Sequence, residues 1–125
     1  PPAPLRVCHV GRLERSRGPD ILLEAAAPLL REGRMVLDII GDGPLLPGLR
    51  ALARREGFGR AVRFHGWLSQ DDLRDVALQS AVLACPTLAG GGGAVVLEAM
   101  ALGLAPVVVD HAGPGELVTE GVGYK

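Results

Sequence analysis

Residues 84–101 read A-C-P-T-L-A-G-G-G-G-A-V-V-L-E-A-M-A. An apolar run, 81–85, breaks at Pro86. Four glycines follow, Gly90 to Gly93, and residues 94–102 then read as a helix with one acidic residue, Glu98. A buried strand, a glycine loop and a helix start, in that succession, predict an anion site. Glycine lets the backbone approach a ligand closely, and the first helical turn has N–H groups without intrahelical partners. A flexible surface loop is the competing reading of a bare glycine run.

Working outward, strands of four to six residues alternate with longer helical patterns. Residues 5–10 (L-R-V-C-H-V) and 35–40 (M-V-L-D-I-I) are strands, the second near-continuously apolar, as in a sheet covered on both faces. Residues 62–65, 81–85 and 105–109 are three more. Pro19 suits a first helical position, and Ile21, Leu22, Ala25, Ala26, Leu29 and Leu30 recur at helical spacing up to Gly33. Pro28 inside that pattern is a place for a kink. A second helix covers about 45–56, with Pro47 in its first turn. Ser69 caps a third, with Asp72 three residues on in a pattern like a capping box. The alternation predicts an α/β, Rossmann-like, doubly wound parallel sheet.

In the strand order 3-2-1-4-5, strands one and four are neighbours, and ligands bind outside their carboxyl ends. Two unusual loops follow those strands. One is basic, with Arg12, Arg15 and Arg17; the other is the glycine run. Together they suit a diphosphate, which arginine binds through bidentate charge-assisted hydrogen bonds. Neither G-x-G-x-x-G nor G-x-x-x-x-G-K-[ST] is present, so dinucleotide oxidoreductases and P-loop NTPases lose their main support.

Composition narrows the classes further. The 125 residues suffice for one domain, and 48% hydrophobic content supports a core. A net charge of −1 and 3% aromatics argue against a nucleic-acid partner. No stretch has the length of a membrane span, and no signal-peptide pattern opens the chain. Cys8 and Cys85 lie in apolar runs without metal-ligand spacing and read as buried thiols of a reducing, cytoplasmic protein. Residues 1–4 read as an extended linker and 5–125 as one domain excised from a longer protein. His9, in a strand, reads as a packing or supporting residue. His65 is given no role, and His111 belongs to no metal-spaced cluster. Asp42 reads as a turn residue.

Five motifs then occur in order: Gly11-Arg12-Leu13 with a basic residue before Gly18; Gly41-Asp42-Gly43-Pro44; Phe64-His65-Gly66-Trp67; Leu97-Glu98-Ala99-Met100-Ala101-Leu102-Gly103; and Pro106-Val107-Val108. Together they resemble the C-terminal, donor-binding domain of GT-B glycosyltransferases of the group 1 (family 4) type, from about Val7 to Gly121. The resemblance implies a nucleotide-sugar donor bound between two Rossmann-like domains, the N-terminal one being a partner in the same chain. It implies that Arg12 holds the donor diphosphate, aided by Arg17 where the family usually has lysine. The amides of Gly91, Gly92, Gly93 and Ala94 would meet phosphate or sugar. Glu98 would take the ribose hydroxyls, and the backbone at Trp67 and Leu68 would border the base. Glu116 would be structural. No metal or other cofactor is implied. Location would be cytoplasmic, or peripheral at the inner face of the membrane through the other domain.

One departure stands out. The family's E-x7-E pair keeps its second member at Glu98, but the first position is Gly90. The catalytic assignment at that position is therefore open. A catalytically degenerate binding domain, or another sugar-nucleotide protein of GT-B architecture such as an epimerase, are the alternatives to a working glycosyltransferase.

Overall fold

The computed structural model describes residues 3–85, 97 and 100–108. Strands are β1 (Leu5–Val10), β2 (Met35–Ile40), β3 (Val62–Gly66), β4 (Val82–Cys85) and β5 (Ala105–Val108). Helices are α1 (Pro19–Arg31), α2 (Leu46–Arg55) and α3 (Gln70–Leu78). The five strands form one parallel sheet, as the alternating pattern predicted, and their order, β3-β2-β1-β4-β5, is the one assumed for a doubly wound fold.

Side chains of successive strand residues point to opposite faces, and here the two faces have separate cores. Val7, Leu37, Ile39, Val62 and Ala84 pack with Leu23, Ala26 and Leu30 of α1 and Leu49 and Ala53 of α2. Cys8, Ile40, Leu83 and Cys85 pack on the other side with Ala77 of α3 and with Leu104. Leu23, Leu37 and Ile39 are fully enclosed, and burying each contributes about 1.5–3 kcal/mol. Both cysteines are buried, as their apolar runs implied.

Local chemistry sets the helix ends. Pro19 opens α1 directly after Gly18, which has φ 69°. The helix runs on through Pro28 to Arg31. The Ser69 hydroxyl accepts the Asp72 N–H at 3.1 Å, the expected cap of α3. Small boundary differences have simple causes. Strand β4 starts at Val82 rather than 81, yet Ala81 still donates its N–H to the Arg6 carbonyl at 2.9 Å. The basic loop between Gly11 and Gly18 holds a 3-10 turn, Arg15–Arg17, closed by Arg17 N–H on the Glu14 carbonyl. Leu97, Met100 and Ala101 are helical, within the span read as the helix after the glycine run.

One buried charge interrupts the apolar reading of β2. Asp38 is 1% exposed. It faces Arg63 of β3 directly in register and is clasped by that guanidinium, with Nε at 2.9 Å from Oδ1 and Nη2 at 3.2 Å from Oδ2. His65 Nε2 lies 2.7 Å from Oδ1, and Arg6 Nη2 3.4 Å from Oδ2. The bidentate fork and two further donors offset the desolvation that an unpaired buried carboxylate would suffer. His65, given no role from sequence, is therefore a hydrogen-bond partner of the buried Asp38 carboxylate.

Candidate functional site

The carboxyl ends of β1, β2 and β3 are sewn together by main chain. Gly11 donates to the Ile40 carbonyl at 3.0 Å, and Gly41 donates to Gly66 at 2.8 Å. Leu13 donates to Asp42 at 2.9 Å and accepts from Leu45 at 3.0 Å. Contacts this close need glycine: a Cβ on Gly41 would overlap the Gly11 carbonyl, and one on Gly43 would lie 2.6 Å from the Leu13 carbonyl oxygen. Three of the sequence motifs thus form one layer, with Gly11-Arg12-Leu13 resting on Gly41-Asp42-Gly43. Asp42 is a turn residue, as read, and its Oδ1 accepts the Gly43 N–H at 2.7 Å.

That layer presents the basic loop. Arg12 Nε is 3.2 Å from Glu14 Oε2, and Arg17 Nε is 3.9 Å from Glu14 Oε1. The two arginines picked out from sequence share one carboxylate. Two guanidiniums against one carboxylate leave a net positive charge at the carboxyl end of β1. Arg12 is 56% exposed, so its pair with Glu14 is weak, roughly 0–1 kcal/mol, and is readily exchanged for a ligand. Glu14 was not singled out from sequence. Its spacing, two residues after Arg12 and three before Arg17, was the available signal.

On the α3 side of the sheet an open cavity of about 540 Å³ begins at the same end of β1. Cys8, Val10 and Leu83 form its floor, Leu73 and Ala77 one wall, and Trp67 its mouth. Trp67 is 59% exposed, while Leu68 is partly buried against the core on that side. The cavity is mostly apolar, with Gln70, Asp71 and Arg74 as its polar lining. Arg12 and Arg17 do not line it; Val10, two residues before Arg12, is the link between the two places. Gly90 to Gly93, Ala94, Glu98, His111 and Glu116 lie outside the described residues, as does Val109 at the predicted end of the last strand.

Two titratable groups flank this region. Burial pushes the Cys8 thiol up to about 11 from 9.0. Burial pushes His9 below its ordinary value, more than the hydrogen bond to Ala84 raises it, so the ring is neutral near pH 7. Among the described residues no group of three or more His, Cys, Asp or Glu side chains is placed to hold a metal ion. No described helix is long and apolar enough to cross a membrane.

Comparison with known proteins supplies the family. Residues 1–124 match the family described as Glycosyl transferases group 1. The chain is 35% identical over 123 residues to a D-inositol 3-phosphate glycosyltransferase of Streptomyces griseus subsp. griseus, covering 90% of this chain and 26% of that protein. It is 31% identical over 116 residues to an alpha-D-kanosaminyltransferase of Streptomyces kanamyceticus, covering 92% and 30%. The crystal structure of Anabaena HepE in complex with UDP and glucose matches with a TM-score of 0.84 at 26% identity, covering 98% of this chain and 34% of that one. The C-terminal domain of a group 1 family glycosyl transferase (LpcC) from Francisella tularensis shares the fold, with a TM-score of 0.83 at 20% identity, covering 96% and 66%. The chain spans about a quarter of the length of the curated relatives it matches first. With the family matched across residues 1–124 and a five-stranded parallel sheet in the doubly wound order, this chain belongs to the group 1 glycosyltransferases, and its fold is a Rossmann-like domain of the GT-B type.

Proposed function

We propose that this chain is the nucleotide-sugar-binding domain of a two-domain glycosyltransferase, paired with an N-terminal Rossmann-like domain of the same protein. The observation that carries the reading is the Arg12–Glu14–Arg17 arrangement at the carboxyl end of β1, beside the point where the strand order turns from β1 to β4. Ligands of open α/β sheets bind at such a point. The likeness to a structure holding UDP and glucose supports a nucleoside diphosphate sugar as the ligand class.

In the proposed reaction the bond between the donor sugar's anomeric carbon and the diphosphate oxygen breaks. A bond to an acceptor hydroxyl oxygen forms, and that hydroxyl gives up its proton. Charge grows on the departing diphosphate. Arg12 and Arg17 exchange Glu14 for its oxygens and stabilise that charge. The amides of Gly91 to Ala94 would add helix-terminal donors, Glu98 would hold the ribose, and the backbone at Trp67 and Leu68 would border the base. No metal is assigned a part. The acceptor site and any catalytic base belong to the N-terminal domain, so the chain by itself binds nucleotide weakly and transfers nothing.

Gly90, standing where the family pattern has glutamate, favours one second reading: a domain that keeps nucleotide binding and has lost transfer. Gly90→Glu in the full-length protein separates the two. Transfer that appears only in the variant supports the degenerate reading, and robust transfer in the native protein excludes it. Calorimetry with UDP, GDP and ADP tests the main proposal. Arg12→Ala is expected to weaken binding by about 1.5–3 kcal/mol, ten- to over a hundredfold. No diphosphate binding at millimolar concentration, or binding indifferent to Arg12→Ala, overturns it.

A further inference from the structure

His9 occupies the next-to-last position of β1 and is 2% exposed. Its Nδ1 lies 3.0 Å from the Ala84 carbonyl oxygen of β4. A carbonyl can only accept, so Nδ1 carries the hydrogen. Among the described residues Nε2 is buried without a hydrogen-bond partner. A second hydrogen there would be a donor without an acceptor, so the ring is neutral with Nδ1–H as its one committed bond.

The place of that bond is telling. The β1–β4 register runs through Val7↔Val82 and Cys8↔Leu83. One step farther, a side chain rather than a ladder pairing joins the strands, at His9 and Ala84. This is the seam where the sheet's order turns, and Gly11 and Arg12 follow His9 by two and three residues. The imidazole is a rigid spacer between the strand that carries the basic loop and the strand that leads into Pro86.

We propose that His9 is a positioning residue for the nucleoside diphosphate: its Nδ1–H bond to the Ala84 carbonyl sets the separation of β1 and β4 at the seam, and so the placement of Arg12 and Arg17 for the diphosphate. The inference rests on the donor-binding reading above. It concerns a residue that touches neither phosphate nor sugar.

Two variants in the full-length protein distinguish a bond from mere packing. His9→Phe keeps the ring and removes the donor. His9→Asn loses the ring but places an amide N–H near the position of Nδ1. The structure predicts that His9→Phe raises the Kd for UDP about tenfold, roughly 1.4 kcal/mol, while its urea midpoint stays close to that of the native protein. His9→Asn is expected to bind UDP within about threefold of the native protein, although it is the less stable variant. A Phe variant that binds as tightly as the native protein, or an Asn variant that binds no better than Phe, overturns the proposal.

A third measurement separates this inference from the reading it rests on. Long-range nitrogen–proton NMR of selectively labelled histidine reports the tautomer, expected as Nδ1–H with bare Nε2; the opposite tautomer overturns the proposal. If the native protein binds no nucleoside diphosphate, the donor-binding reading falls. The positioning role is then decided by labelled arginine amides. His9→Phe must move Arg12 and Arg17 and His9→Asn must restore them; unmoved resonances overturn it.

Discussion

Leu13 donates its N–H to the Asp42 carbonyl at 2.9 Å, which docks the loop after β1 on the loop after β2. The arginine on one side of Leu13 is thereby presented from a main-chain platform rather than from a free loop. Gly41 makes the platform possible, since its φ of 143° and its contact with the Gly11 carbonyl leave no room for a Cβ.

Gly41→Ala is therefore expected to cost about 2–5 kcal/mol, backbone strain and overpacking together. Gly57→Ala is the comparison. Gly57 also has a left-handed φ, 77°, but nothing lies within 4 Å of its added Cβ. That variant should lose only the conformational term, roughly 1–2 kcal/mol. Urea midpoints of the two measure the difference, and equal losses would contradict the close packing of the two loops.

Glu14→Gln should release Arg12 and Arg17 from their shared carboxylate while leaving stability within about 0.5 kcal/mol, because the group is part-exposed. With one negative charge fewer beside the phosphates, UDP affinity should rise about two- to fivefold at low salt and converge with the native value at high salt. Calorimetry at two ionic strengths checks this. A drop in affinity would show instead that Glu14 orients the arginines.

Asp38→Asn is expected to destabilise the fold by about 1–3 kcal/mol, toward the lower end because Arg6, Arg63 and His65 keep access to water. Its effect on nucleotide affinity should be small, since Asp38 pairs with Arg6, Arg63 and His65 while Arg12 and Arg17 pair with Glu14. Denaturant unfolding and UDP titration of the same variant test both halves.

Cys8 predicts a loss of stability in alkali. The folded thiol keeps its proton up to about pH 11, whereas an unfolded one gives it up near 9.0. The folded state therefore holds more protons between those values, and stability falls as pH rises through that window, by up to about 1.4 kcal/mol per unit. Cys8→Ala should flatten that slope while lowering stability at neutral pH through lost packing. Urea midpoints near pH 8 and pH 10 read the two effects.

Much of this was legible in the chain. Apolar runs of four to six residues alternating with helical spacing specified a parallel α/β sheet, because periodicity records which faces are buried, while the strand order was assumed from doubly wound folds and is matched by the sheet. Pro19, Ser69 and the glycines after each strand marked helix starts and turns, because those are local demands on φ and on unpaired N–H groups. The family motifs picked out Arg12, Arg17 and Glu98.

What the sequence by itself determined, then, was the class of fold and the basic character of the loop after its first strand. Tertiary structure alone decided which side chains meet. Asp38 sits in an apolar-looking strand, and only the β2–β3 register sets Arg63 opposite it. His9 and Ala84 are 75 residues apart, and Glu14 becomes the arginines' common partner only once the turn at Arg15–Arg17 closes. Local pattern reflects the surface each residue needs to bury. A pairing between distant groups depends on register and on backbone approach, and those arise only when the strands are side by side.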